Sequence, residues 1–521
     1  MLEAILIGLV AVIGLCDYIT GTSMVQRPIV LGPLVGLILG DVTQGVMIGA
    51  SLELIFIGVM YIGGAVPINV NVGGVVATAL AIKTGAGVEV ALALAVPVGA
   101  LFSVAEKGYY MGIQYILVKF DKACRNARDK TVQRLHFLCF SIWSSFYFII
   151  TFCAVQFGAD TIDNLVQSIP ERFIYSIEAG VTLLPALGFA LLLNNIWNRK
   201  IAVFFFIGFA MAAFLGMDLI GIAVIATCIG ILFFQFGSGE TSTLSSISDE
   251  PSVNRLLTKR DLNKIFWRSF TLEASFTYER FQATGYTYSV IPALRKFYKD
   301  DKEGLAGALT RNVTFVNTSP NISTLLMGST CAVEEQYSQD KESMDPKTII
   351  AIRSAMMGPI AGVGDAIFWG ILRTVAAGIA IAMGLNGSVL APIVFLLVFN
   401  VPHVLMRYYG LHKSYQLGSR FIAKLSESRL LERLSLCAGI VGLMVVGGMT
   451  SSFVWISTPL EFNVGGLDIV IQEFLDSILP GALSLIAVFT LYKLIKKQVK
   501  VVYLMIGALA LGILLAMIGI L

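Results

Sequence analysis

Carboxylates and amides set among large apolar residues are the groups in this chain that could do chemistry. Glu53 lies in GASLELIFIG, Asp17 in LCDY, Asp365 in MMGPIAGVGDAIFWG, and Glu279 with Arg280 in SFTYERFQATGY. An ionisable side chain inside a membrane segment costs at least ~2.5 kcal/mol, so each is a functional candidate by default. Uncharged polar groups gather near them: Gln26, Asn69 and Asn71, Gln282, and Asn317, Thr318 and Asn321 in FVNTSPNIS. Gln282 follows Glu279 by three residues, a spacing that predicts a shared helix face. Paired donors and acceptors beside aromatic rings (Phe276, Tyr278, Trp369) are what a sugar requires, because its hydroxyls both give and accept hydrogen bonds and its C–H faces favour apolar walls. Each residue also has an architectural reading. A carboxylate in a broken helix can cap backbone N–H groups, and an Asn in a Gly-rich loop can close an Asx-turn. Asp365 carries both readings.

Other chemistries lack their residues. There is no GxxxxGK[ST] nucleotide loop, GVGD is not GxGxxG, and no G-x-S-x-G elbow is placed on a strand. His136, His403 and His412 are far apart, and the seven cysteines form no CxxC, so no metal site or cofactor is expected. No basic patch is interleaved with aromatics, so no nucleic acid is expected as a partner.

The elements that must hold these residues are membrane elements. Of 521 residues, 56% are hydrophobic and only 14% charged, against about 25% charged in soluble domains. Mean hydropathy is +0.80. Val501–Leu521 and Phe137–Phe157 are uncharged runs long enough to span a bilayer. Ile201–Phe236 is interrupted only by Asp218 and reads as a helical hairpin. The N-terminus MLEAILIGLVAVIGL has no basic leader and reads as a retained membrane element. The fold expected is an all-α polytopic membrane protein.

Two apolar halves flank a polar stretch. Residues 1–236 are almost continuously hydrophobic, 237–256 read as a linker, and 257–521 form a second unit whose first part, 257–350, is too polar for ordinary spans. Short Gly-rich pieces such as GPLVGLILGD predict broken and re-entrant helices, tolerated only where protein or a water-filled cavity covers the freed backbone. GPLVGLILGD at 32–41 and GPIAGVGD at 358–365 echo each other, as two related halves would. The basic segments 119–134 (six Lys/Arg against two Asp), 197–200 and 493–500 predict the cytoplasmic side.

These motifs resemble a known family. QRPIVLGPLVGLILGDVTQGVMIGASLELIFIGVMYIGGAVP (26–67) and FFFIGFAMAAF (204–214) resemble component IIC of the mannose-family (mannose/fructose/sorbose) phosphotransferase system. LTKRDLNKIFWRSF, TYERFQATGYTYSVIPALRKFY, FVNTSPNIS, MMGPIAGVGDAIFWGILR and RYYGLHKSYQLG resemble component IID. The resemblance implies a IIC–IID fusion in the bacterial cell (inner) membrane. It implies a permease that binds a hexose-type sugar outside and translocates it to a cytoplasmic phosphohistidine IIB component, served by IIA. The chain would not be an enzyme by itself. The resemblance also implies an elevator-type transporter assembled as a homotrimer in contact with membrane lipid. By motif, it places substrate-binding residues at Asp17, Gln26, Glu53 and Asn69 in the first half, and at Phe276, Glu279, Gln282, Asn317, Thr318 and Asp365 in the second. Many IIC relatives carry Asp where this chain has Asn69 and His where it has Gln26, so the sugar is not assigned. The competing readings are an ion-coupled secondary sugar transporter, with Glu53 and Asp365 as proton sites, and a receptor without transport.

Overall fold

The computed structural model describes residues 1–59, 68–85, 87–168, 183–236, 255–277, 279–342, 344–418, 430–454, 456–464, 467–499, 501–518 and 520. Tyr278, most of the expected linker and the GAVP end of the first motif lie outside them. Five described helices are long and apolar enough to cross a bilayer: Leu2–Ile19, Gly87–Arg125, Asp129–Gly158, Pro346–Leu385 and Ala391–Leu417. A sixth span results if Ile471–Ile478 and Ala482–Lys496, bent by 80° at their junction, are counted as one broken helix.

Several apolar helices are too short to span. Pro28–Leu39 and Val42–Phe56 have 12 and 15 residues, or roughly 18 and 22 Å at 1.5 Å per residue, against a hydrocarbon core of about 30 Å. They turn back on each other at Gly40, whose φ of +85° suits glycine. Asp41 then caps the second helix by accepting from the Gln44 amide at 2.9 Å. Glycines line the seam. A Cβ on Gly32 would lie 2.5 Å from the Gly45 carbonyl oxygen, and one on Gly36 2.9 Å from the Gly45 Cα. Any side chain there would force the two helices apart, so a tight helical hairpin stands where the Gly-rich sequence predicts broken helices.

The echo of this motif in the second half does not repeat the turn. Pro346–Gly364 passes without a break into a π-helical stretch, Asp365–Leu372, and on into Arg373–Leu385. Pro359 sits inside this run. Asp365 therefore has no helix break to cap, which removes its architectural reading, and the motif instead inserts the wider turn that frequently marks functional sites. Of the four glycines in MMGPIAGVGDAIFWG, only Gly364 makes a very close approach, to Ser319, whereas Gly358 and Gly362 have nothing within 4 Å of a Cβ position.

Residues 255–350 are mostly short helices packed against protein. Lys259–Ser269 is opened by a capping box between Thr258 and Asp261 and buries Leu262, Ile265 and Phe266. Ala283–Phe297 and Ser323–Gln339 are buried almost all round despite their Ser, Thr and Tyr content. The chain is not wholly α: Glu461–Val464 and Leu467–Val470 form an antiparallel two-stranded ribbon. Asp218, the lone charge in the 201–236 run, sits in the hairpin turn and accepts from the Gly221 amide at 2.6 Å. Trp197 packs on Tyr492, and the Lys496 ammonium lies 4.8 Å from the Tyr492 ring centre, so the basic segments at 197–200 and 493–500 lie side by side.

The two halves are joined by polar contacts. Arg280 grips Asp121 with both terminal nitrogens, at 2.5 and 2.9 Å, and Arg295 pairs with Asp129. His136 meets Ser275 at 2.6 Å and Thr271 at 3.1 Å and stacks on Tyr288. Arg373 donates to the carbonyls of Ile57 and Val59 across the seam.

Candidate functional site

The site is built where two irregular loops meet. In the first half, the 3-10 turn Cys16–Ile19 runs into a loop with three left-handed residues: Gly21 (φ +78°), Thr22 (+64°) and Met24 (+69°). A β-branched residue at positive φ is an outlier, and such strain persists only where the surroundings impose it. Asp17 organises the loop. Its Oδ1 accepts from the Val25 amide at 2.9 Å and from Ser23 Oγ at 3.4 Å, and its Oδ2 accepts from Gln26 Nε2 at 2.9 Å. The structure thus brings Asp17 and Gln26 together in a buried pair.

In the second half, Phe281 is also left-handed, at φ +54°. This reversal separates Glu279 from Gln282, so the expected shared helix face does not exist; the helix begins only at Ala283. Glu279 is exposed and pairs with Arg280 at 3.2 Å. Gln282 is buried and uses both ends of its amide. Nε2 donates to Glu273 Oε1 at 3.1 Å and to the Thr318 carbonyl at 2.9 Å, while Oε1 accepts from the Thr318 amide at 3.0 Å. Gln282 and Thr318 therefore act as one unit.

Glu273 bridges the two loops. Its Oε2 accepts from Thr22 Oγ1 at 2.8 Å, and Asn321 Nδ2 reaches the Thr22 carbonyl at 3.4 Å. Burial pushes the Glu273 carboxyl above its ordinary value of 4.5; donation from Thr22 and Gln282 and the nearby Arg407 charge oppose the rise, and Asp365 adds to it. Asp365, accessible at its surface, lies beside Ser319. Next to these groups, two buried polar atoms in TSPN, Thr318 Oγ1 and Asn321 Oδ1, have no hydrogen-bond partner among the described residues. Buried polar atoms are nearly always paired, so two within four residues mark unused binding capacity.

The remaining predicted residues lie around this junction or apart from it. Glu53 is fully buried against Arg27, at 2.6 Å, and its Oε2 has no partner among the described residues. Arg27 follows Gln26, so this ion pair adjoins the Asp17 loop. Asn69 caps the helix Val70–Thr84 by accepting from the Val72 amide at 3.0 Å, and donates to Glu106 at 3.2 Å and Tyr147 at 2.5 Å. It belongs to a separate buried cluster with Glu106, Trp143 and Tyr147. Phe276 packs edge-on against Tyr110 and Phe281. Asn317 is half-buried. Sequence reasoning missed Glu273, hidden in the amphipathic piece LTKRDLNKIFWRSFTLEASF, and Glu106, whose neighbour Lys107 makes it read as a surface charge pair.

Comparison with known proteins decides the family. The family described as PTS system mannose/fructose/sorbose family IID component matches residues 256–521, and PTS system sorbose-specific IIC component matches residues 1–232. The chain belongs to the mannose/fructose/sorbose family of the phosphotransferase system. It joins a IIC-type and a IID-type part in one polypeptide. Its second half is 32% identical over 270 residues to the mannose-specific EIID component of Escherichia coli K12, covering 51% of this chain and 95% of that protein. It is 35% identical over 264 residues to the fructose permease IID component of Bacillus subtilis, covering 50% and 95%. Its first half is 28% identical over 238 residues to the mannose-specific EIIC component of E. coli K12, covering 45% and 88%. Among solved structures, a mannose transporter ManYZ complex with microcin E492 aligns over 51% of this chain and 99% of that chain, at 31% identity and a TM-score of 0.31. This fusion is a membrane permease of a sugar phosphotransferase system and crosses the membrane several times.

Proposed function

We propose that the permease binds a hexose-type sugar at the junction of its two halves, between the Asp17–Gln26 loop and the Glu273–Gln282–Thr318 unit. The observation that carries this reading is the pair of buried atoms without a partner among the described residues, Thr318 Oγ1 and Asn321 Oδ1, beside two carboxylates held by neutral donors. Sugar hydroxyls would supply the missing partners, and the half-buried rings of Phe276 and Tyr18 would border the ring faces. The sugar would enter from outside and be handed to a cytoplasmic IIB component that carries phosphohistidine, itself charged by IIA. Phosphoryl transfer belongs to that partner, and the chain has no catalytic group of its own in this scheme. The basic segments at 119–134, 197–200 and 493–500 would face the cytoplasm of a bacterial cell. Homotrimeric assembly and an elevator-type movement are the expectations that come with the family. Specificity among hexoses would follow the departure at Gln26, which lies in this junction.

Labelled-sugar uptake into vesicles, with and without phosphorylated IIB, tests this reading. Uptake should require IIB, yield phosphorylated sugar and ignore proton or sodium gradients. Gln282→Ala should raise the half-saturating sugar concentration on the order of tenfold, because one buried amide then fails to hold both Glu273 and Thr318. Accumulation of unmodified sugar on an ion gradient would refute the phosphotransferase scheme. Unchanged affinity in Gln282→Ala would move the sugar site elsewhere.

A further inference from the structure

The helix Ala391–Leu417 of the second half carries Asn400, His403 and Arg407 at i, i+3 and i+7, which is one helix face. We propose that these three residues are a positioning ladder that grips the strained 20–24 loop of the first half and thereby sets the geometry of the sugar site; the proposal rests on the site reading above.

Arg407 is fully buried, and all five of its N–H donors can be assigned. Nη1 donates to the Ser269 carbonyl at 2.6 Å and to Ser269 Oγ at 2.9 Å. Nη2 donates to the Pro320 carbonyl at 2.5 Å and to the Gly21 carbonyl at 3.3 Å. Nε donates to His403 Nε2 at 3.2 Å. The acceptors come from three chain segments, and each segment borders the site: Gly21 precedes Thr22, Pro320 lies between Ser319 and Asn321, and Ser269 begins the turn that leads to Glu273. The guanidinium also lies over the Phe270 ring, 4.8 Å from its centre. Every direct partner is neutral, so the Arg407 charge is not consumed by an ion pair and acts on Glu273 at longer range.

His403 and Asn400 continue the line. Because His403 Nε2 accepts from Arg407, its proton sits on Nδ1, which faces Asn400 Oδ1 at 3.5 Å. Asn400 Nδ2 then donates to the Ser23 carbonyl at 2.8 Å. The ladder thus holds the loop at two carbonyls, Gly21 and Ser23, on either side of Thr22. A positive φ at Thr22 needs such restraint. Gly21 itself cannot carry a side chain here, since a Cβ would lie 2.9 Å from Phe270 and 3.1 Å from Arg407 Nη2.

The test uses the full chain in lipid nanodiscs and vesicles with phosphorylated IIB. Hydrogen exchange of the 20–27 segment is read beside the half-saturating sugar concentration and the maximal rate. Arg407→Lys keeps the charge but loses the fork, and should speed exchange in 20–27 and raise the half-saturating concentration roughly tenfold. His403→Gln keeps an acceptor near the Nε2 position and should stay within about threefold of wild type, whereas His403→Phe, similar in size but without the acceptor, should behave like Arg407→Lys. A role in packing alone predicts the opposite order for the two His403 variants, and that order would overturn the ladder. Unchanged exchange in 20–27 for Arg407→Lys would overturn it as well. Faster exchange in 20–27 with an unchanged half-saturating concentration would uphold the grip on the loop, refute its link to the sugar and count against the site reading.

Discussion

Two nests of buried polar groups in this protein look alike in composition and differ in bookkeeping. At Glu334, each oxygen is claimed: Oε2 by Arg311 at 2.8 Å and Tyr298 at 3.0 Å, Oε1 by Arg311 at 3.2 Å and Asn312 at 3.3 Å. At the junction of the halves, Asp17 and Glu273 are held by neutral donors among the described residues, and Thr318 Oγ1 and Asn321 Oδ1 beside them have no partner there. Burial does not separate the two nests. The carboxylate's own partner does: a guanidinium at Glu334, amides and hydroxyls in the nest that both halves build.

The sharpest way to break this comparison is at Glu334. Glu334→Ala should destabilise the protein by about 3 kcal/mol, because it strands the largely buried Arg311; thermal unfolding in detergent reads the loss. Transport should fall only as far as folded protein is lost. Asp17→Ala should do the reverse. Sugar affinity should drop by about 1–3 kcal/mol, or roughly 5–150-fold, with a melting temperature much closer to wild type. Equal destabilisation in the two variants would erase the distinction.

A smaller effect concerns pH. The Glu273 carboxyl is raised above its unfolded value of 4.5 mainly by burial. A raised acid costs the folded state nothing while both states are protonated, and the cost grows as pH climbs from 4.5 towards the folded value, above which it is complete. Wild type should therefore lose stability relative to Glu273→Gln across that rising window, and melting curves of both proteins from pH 4.5 upward measure it. A difference that shrinks as pH rises would contradict the sign. The smallest expected effect lies outside both nests. Thr258→Ala removes the cap of Lys259–Ser269 and should cost about 1 kcal/mol, with an unchanged half-saturating sugar concentration.

The membrane class, the broken Gly-rich hairpin and the short packed helices of 255–350 were legible in the sequence, because hydropathy and glycine spacing act locally. The pairing of Asp17 with Gln26 and of Gln282 with Thr318 was legible only as a list of candidates, because each closes across an irregular loop, and Thr22 meets Glu273 only when segments 251 residues apart in sequence fold against each other. The shared helix face of Glu279 and Gln282 failed on a local matter: a left-handed Phe281 carries no sequence signature, so helical spacing was assumed across a reversal. Asn69 and Glu106 illustrate a different limit. A buried carboxylate that is satisfied by Trp143, Tyr147 and Asn69 and a surface carboxylate beside a lysine are the same letters until the packing is known.

The π-helical stretch Asp365–Leu372 has a consequence for how this protein can vary. A wider turn of this kind amounts to a spare residue carried inside a helix. Deleting one residue there would give back a regular helix, shorter by about 1.5 Å at most, and leave the turns on either side facing as they do now. Arg373 would keep the carbonyls of Ile57 and Val59. The same deletion in the regular turns of Pro346–Gly364 would swing everything beyond it by about 100° and pull that rivet out. Length changes in a surface loop are absorbed where they occur, and the wide turn gives a long helix the same tolerance within its own length.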